Sequence, residues 1–333
     1  MIKKILIMSI LFFSLSFSKK ITIKMATLAP EGTPWHTLLA EMGQRWESET
    51  NGDVRLRIYP GGVVGDERDM IRKMRIGQIH GAAISAEGLT EINPQYSYSF
   101  LPLFFQNFDD IDFVRAEIND DLLSGSMEGG FKVLAMVDIG WVYWFTKNKI
   151  STPTDLKQQK IWTWAGDYKT AKMYSDLGFN AIPISVPDVH ASLQTGLINA
   201  YPFPPIFVLA NQYFAFSEYM LDMKWGILTA AIVLDMKTWN RLSEEYQNII
   251  ISISNDISSE YQNTHRKDET SAINAMKKYG LKVNALKLED RAEWEMLVES
   301  IYPTLRGTLI DKGIFDKVIK LKKELPSNKT NNQ

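Results

Sequence analysis

The chain has no cysteine, which excludes disulfides, thiolate metal sites, cysteine nucleophiles and a lipid-modified cysteine at an export cleavage site. Stability must come from the apolar core. Arginine is missing from Ala116 through Asn240, so a pocket built there lacks the parallel donors that fork onto a carboxylate or phosphate. No nucleotide-binding GxGxxG or GxxxxGK[ST] loop, GxSxG elbow or HExxH zinc helix occurs. The histidines, His36, His80, His190 and His265, sit singly in unlike contexts. Asp66, Glu67 and Asp69 are grouped only where a helix is expected to begin, and the helix dipole accounts for them. No metal, no cofactor and no catalytic residue are therefore expected, and the chain is not read as an enzyme.

What is present begins with an export pattern. Lys3 and Lys4 precede an apolar run from Ile5 to Phe17, and Ser16-Phe17-Ser18 supplies small residues before Lys19. Residues 1–18 read as a cleaved signal peptide, with an uncleaved N-terminal anchor as the alternative. No later run approaches the length of a membrane span. The expected place is the periplasm, as a protein that is not a lipoprotein. The remaining 315 of 333 residues are enough for two lobes. Loss of Lys3 and Lys4 takes the formal charge from −2 to −4, which gives no reason to expect nucleic acid or an anionic membrane as partner. Between Trp141 and Trp225 lie 17 of the 38 aromatic residues, suited to an apolar or flat ligand, or to the core.

Along the chain, Ile21 to Thr27 reads as a strand. Trp35, Leu38, Leu39, Met42 and Trp46 space an amphipathic helix, and Val54, Leu56 and Ile58 alternate as a strand. A loop through Pro60-Gly61-Gly62 and Gly65 leads to Asp66 as helix cap, then to a strand over Ile79 to Ser85. Phe131 to Ile139, Trp141 to Thr146, Lys160 to Trp164, Ala181 to Ile184, Ile198 to Tyr201 and Gly226 to Asp235 are further strands, and Thr152-Pro153 caps a short helix. Alternating strands and helices imply an α/β protein. Neither glycine nor proline interrupts Ile227 to Tyr279, which predicts one long helix from about Ser243 to Tyr279 that braces both lobes or forms a coiled-coil arm. Residues 327–333 read as a disordered tail.

Several segments, in order, resemble the DctP-type extracytoplasmic solute-binding proteins of TRAP transporters. They are Asn51-Gly52-Asp53-Val54 through Tyr59-Pro60-Gly61-Gly62, Val64-Gly65-Asp66-Glu67-Arg68-Asp69-Met70, Leu101-Pro102-Leu103-Phe104-Phe105, Thr152-Pro153-Thr154-Asp155-Leu156-Lys157 with Lys160-Ile161, and Ser192-Leu193-Gln194-Thr195-Gly196. The resemblance covers most of the chain after the signal segment. It implies a two-lobe fold of the type II periplasmic binding protein kind, hinge strands, a long helix across both lobes, and a monomer that captures a small-molecule solute by lobe closure and delivers it to membrane permease subunits. The expected division is 19–140 with 228–267 for lobe I and 141–227 with 268–326 for lobe II.

The departures from the family pattern concern the ligand. The position after Lys160-Ile161, where the resemblance places a carboxylate-binding arginine, is Trp162; the position of a ligand asparagine is Phe203, after Tyr201 and Pro202; a further arginine position falls at Val142. Trp162 and Trp164, two apart on a strand, share a face. Trp162, Trp164, Tyr201 and Phe203, with Val142 and with Ser85 and Asp66 from the first lobe, form the expected site for a neutral, hydrophobic or aromatic solute. Two alternatives stand beside it: an organic anion held by Lys160, Lys147 or Lys149, and an interaction protein without a solute.

Overall fold

A computed structural model of the chain describes residues 20–267 and 269–327; the signal segment, position 268 and the tail beyond Ser327 lie outside the described residues. Ten strands are present, β1 (Ile21–Thr27), β2 (Val54–Tyr59), β3 (Gly81–Ser85), β4 (Phe131–Thr146), β5 (Lys160–Trp164), β6 (Asn180–Ile184), β7 (Ala200–Phe203), β8 (Tyr219–Asp222), β9 (Gly226–Asp235) and β10 (Lys282–Ala285). The main order is β2-β1-β3-β9-β4-β7-β5-β6, with β8 beside the end of β4 and β10 beside β8. The helix carrying Trp35 spans Pro34–Glu49, as the spacing predicts, behind a Thr33 cap that the sequence reading did not name, and Asp66 caps Glu67–Arg75 as expected.

The segments 131–139 and 141–146, expected as two strands, are one strand of 16 residues. Its register against β9 slips between Asp138 and Gly140, and Gly140, at φ +148°, holds the irregularity without ending the strand. This strand joins the two lobes. From Phe131 to Val142 it pairs antiparallel with β9, and from Tyr143 to Thr146 with β7. The lobe I sheet is thus β2-β1-β3-β9-β4, and the far end of β4 begins the lobe II sheet.

The glycine- and proline-free segment is helical over Glu244–Lys267 and Glu269–Lys278, with position 268 outside the described residues. The first stretch sends Ile250, Ile253, Ile257 and Tyr261 into the core around Trp35, Leu39 and Trp46; the second sends Met276 into the core shared with Tyr213 and Leu281. It therefore packs on both lobes. The C-terminal segment departs from the expected division at 326. The Asp311 N–H donates to the Ser97 hydroxyl at 3.1 Å, Lys317 pairs with Asp121 at 2.7 Å, and the N–H of Ser327 donates to Asp110 at 3.0 Å. The chain returns to lobe I, and Ser327, expected in the tail, is buried. Among the described residues no helix is long and apolar enough to cross a membrane.

The hinge strand is clamped at its irregularity. The carboxylate of Asp138, fully buried, pairs with Arg115 from the helix Phe108–Glu128 and with Arg266 from the long helical segment; Arg266 also grips Asp112 at 2.6 Å. Both guanidiniums are largely buried, so removing the shared carboxylate leaves Arg115 with only the longer ion pair to Asp112 at 3.7 Å and Arg266 with Asp112 alone. Asp138→Ala is expected to destabilise the protein by about 3 kcal/mol, read as a lowered urea midpoint at unchanged m-value.

Candidate functional site

Of the cavities that open where the lobes meet, two are walled largely by rings, and a third, beside Arg266 and His265, shares Pro34, Ile139 and Ile206 with the first. The first of the ring-walled pair lies between the loop after β1 and the end of β7. Its lobe I wall comes from the loop after β1 (Leu28 to Pro30), Trp35, the end of β3 through Ser85, and Tyr261; its lobe II wall is Trp164, Phe203, Ile206, Phe207 and Ala210. β7 ends at Phe203 because Pro204 and Pro205 follow, and Pro205 opens the helix Pro205–Ala210 that carries Phe207. The strand end and the helix start thereby place Phe203 and Phe207 side by side, ring centroids 4.8 Å apart. Across the cavity, Trp35 and Tyr261 meet edge to face at 4.8 Å. The second cavity lies against the other face of the lobe II sheet and is lined by Val142, Trp144, Trp162, Thr163 and Trp164 among others.

The structure sorts the expected site residues as follows. Phe203, Trp164 and Ser85 line the first cavity; Val142, Trp162 and Trp164 line the second. Trp162 is 2% exposed, its indole N–H donates to the Ile184 carbonyl at 2.9 Å, and its ring packs on Phe203 at 4.6 Å and Trp164 at 5.1 Å. It backs the first cavity's wall instead of facing it. Tyr201 is corrected to core: it lines neither cavity, stacks on Phe145 at 5.7 Å, and its oxygen accepts from the Ser217 hydroxyl at 2.8 Å. Asp66 also lines neither. One of its oxygens accepts from the Glu67 N–H at 2.8 Å as helix cap, and the other from the Val186 N–H of lobe II at 2.9 Å, so it bridges the lobes. Nearby, a Cβ on Gly62 would stand 2.8 Å from Pro187 of lobe II, so only glycine lets this loop approach so closely. The lobes are closed on each other here.

Sequence reasoning missed the acidic floor. Glu67, the first residue of its helix, lines the first cavity and reaches the helix that follows β3: it accepts from the Ser85 N–H at 2.8 Å, the Ser85 hydroxyl at 2.6 Å and the Gly88 N–H at 2.9 Å. Burial pushes its carboxyl up to about 7, with these three hydrogen bonds opposing. Glu87 and Asp167 line the second cavity. Burial pushes Glu87 up to about 7, the charge of Asp167 adds to this and Arg68 opposes it. Arg68 itself is taken up by Glu87 at 2.7 Å and Glu91 at 2.6 Å. No lysine, arginine or histidine lines either cavity. The available signal was the acidic run 66–69, which helix capping explained equally well. Among the described residues no group of three or more histidine and carboxylate side chains is placed to hold a metal ion.

Two lobes joined by paired strands and closed over a cleft walled by rings have the architecture of a solute receptor. The family model described as DctP, bacterial extracellular solute-binding protein family 7, matches residues 25–306. The chain belongs to this family of TRAP transporter solute-binding proteins; it is not an enzyme and works with a membrane permease. Among its relatives, the 2,3-diketo-L-gulonate-binding periplasmic protein YiaO of Escherichia coli K12 is 24% identical over 251 residues, 74% of this chain and 76% of that protein. The C4-dicarboxylate-binding periplasmic protein DctP of Rhodobacter capsulatus is 22% identical over 293 residues, covering 86% and 87%. The solved sugar acid binding protein DctPAm of Advenella mimigardefordensis, in complex with galactonate, superposes with a TM-score of 0.85 at 18% identity, covering 92% of this chain and 99% of that one.

The buried Glu67 carboxyl makes stability depend on pH. Its value near 7 in the folded chain lies above the ordinary ~4.3 of the unfolded chain, so between those values the folded state holds a proton that the unfolded state has released. Stability is complete below the unfolded value and falls as pH rises through 7, by on the order of 3 kcal/mol. Glu87, also raised to about 7, adds to the slope in the same window, so urea titrations should show a fall that Glu67→Gln reduces and that the further change Glu87→Gln removes.

Proposed function

We propose that the solute is uncharged and largely apolar or aromatic, held by ring packing with few hydrogen bonds, and captured by closure of the lobes. One observation carries this reading: the two ring-walled cavities are lined by Glu67, Glu87 and Asp167 and by no cationic side chain, while Arg266, which lines the adjoining hollow beside Pro34 and Ile206, is committed to Asp112 and Asp138. An anion entering there would lose hydration against indole and phenyl walls and meet carboxyls instead of a guanidinium. Relatives such as the C4-dicarboxylate-binding protein of Rhodobacter capsulatus and the galactonate-bound protein of Advenella mimigardefordensis take acids; in this chain the corresponding positions carry rings, Phe203 in the wall of the first cavity and Trp162 packed behind it, where the family resemblance expects polar grips.

The organic-anion alternative finds less support. None of Lys147, Lys149 and Lys160 lines either cavity, and the Lys160 ammonium, exposed, donates to the Gly196 carbonyl at 2.9 Å. The mature receptor is taken as a periplasmic monomer delivering its solute to the permease, exported by residues 1–18, without a nucleic-acid partner. The lobe division proposed is the one in which β4 changes partner at Tyr143, with the segment from Asp311 assigned to lobe I.

Calorimetry against neutral aromatic and aliphatic solutes, alongside succinate and galactonate, tests the ligand class. A neutral solute is expected to bind, and Phe203→Ala to weaken it tenfold to a hundredfold, matching ~1.5–3 kcal/mol for one phenyl contact. Tight succinate binding that Phe203→Ala leaves unchanged would refute the proposal.

A further inference from the structure

The second cavity has features that the first does not explain. It lies between the face of the lobe II sheet that carries Val142, Trp144 and Thr163 and two covering helices, Tyr168–Asp176 and Leu288–Leu305. The helix Tyr168–Asp176 has no buried residue, although Met173 and Tyr174 face the sheet across the cavity. An α-helix of nine residues in a folded lobe ordinarily buries one stripe against its neighbour; here the stripe is only half-buried, Tyr174 packing edge to face on Phe179 at 5.6 Å while it and Met173 also wall the cavity. Two polar atoms on that sheet face are buried without a partner, the indole N–H of Trp144 and the hydroxyl of Thr163. Their residues are 0% and 3% exposed; of the buried side-chain atoms without a partner among the described residues, these two belong to residues that line this cavity, and each is a donor that an oxygen seated against it would satisfy.

The cavity is polarised. Its charged lining residues, Glu87 and Asp167, both stand beside Arg68 at the lobe junction. Away from the junction the walls are apolar, with Trp294, Ile301 and Leu305 from the covering helix. Trp164 and Leu228 line both cavities and so form the partition between them. A chain passing that partition would have one end in the cleft, a middle beside the polar junction, and a tail among the tryptophans.

We infer that the second cavity is a tail compartment for an elongated neutral amphiphile, with a hydrocarbon chain and at least one hydroxyl, ether or carbonyl oxygen that accepts from Trp144 and exchanges a hydrogen bond with Thr163. This deepens the proposed reading of the cleft and rests on it: the solute is long enough to occupy both cavities, and Trp164 is its gate. Compact solutes fill the cleft cavity only.

Displacement of the neutral dye N-phenyl-1-naphthylamine by straight-chain primary alcohols, from hexanol through decanol to tetradecanol, tests this on the full mature protein. Affinity is expected to climb up to about fourfold per added methylene along the whole series, the gain for burying one such group. Met173→Trp, which fills the compartment from a half-buried helix, should stop the climb beyond hexanol while leaving hexanol itself unchanged. Leu177→Trp serves the same purpose if Met173→Trp lowers the thermal midpoint. A climb that both filled variants keep in full would overturn the tail compartment and leave the cleft reading standing. Failure of every alcohol to displace the dye from the wild-type protein would overturn both.

Discussion

Everything in this molecule is hung on β4. Its sixteen residues pair with β9 on the lobe I side and with β7 on the lobe II side, so the backbone hydrogen bonds of one strand fix the angle between two cores. At its irregular point the ladder is interrupted beside Gly140, and there the protein buries Asp138 between two arginines taken from separate helices. A strand with a break in its register is the natural place for two lobes to swing. Ion pairs that gather the surrounding helices keep that freedom local.

The cleft follows from this frame. With β3, β7 and the loop after β1 all ending at the lobe boundary, whatever side chains close those elements become the walls. In this chain they are Ser85, Phe203 and Phe207, with Trp164 at the end of β5. Glu67 ties the first-lobe helix ends together through three hydrogen bonds, and in doing so it lends the site a buried carboxyl. The neighbouring guanidiniums are committed elsewhere, Arg68 to Glu87 and Glu91 and Arg266 to Asp112 and Asp138. Ring walls and an acidic floor together select against negative charge more firmly than the loss of an arginine alone.

Tyr201 and Phe203 show how far sequence reading reaches. They stand two apart on β7, on the same face, and no local pattern separates them. Tyr201 is core because Phe145 stacks on it and Ser217 meets its oxygen from elsewhere in the chain; Phe203 reaches the cleft because the strand stops there. Trp162 and Trp164 divide in the same way, one with its N–H spent on Ile184 and the other at the strand end beside the opening. Asp66 was legible as a cap, but its bond to Val186, 120 residues away, was not.

The amino-acid sequence by itself determined the α/β class, the strands of the two sheets apart from β8 and β10, the caps at Asp66 and Thr152, the long helical segment, and the absence of a guanidinium from the aromatic half. Those depend on periodicity, backbone chemistry and composition, which are local properties. Only the tertiary structure decided which rings wall a cavity and which fill a core, that Glu67 and Glu87 line the cleft, that β4 is continuous through Gly140, and that the last helix returns to lobe I. Each of these depends on which distant segment supplies the facing atoms, and burial, hydrogen-bond partners and charge environment exist only once those atoms are in place.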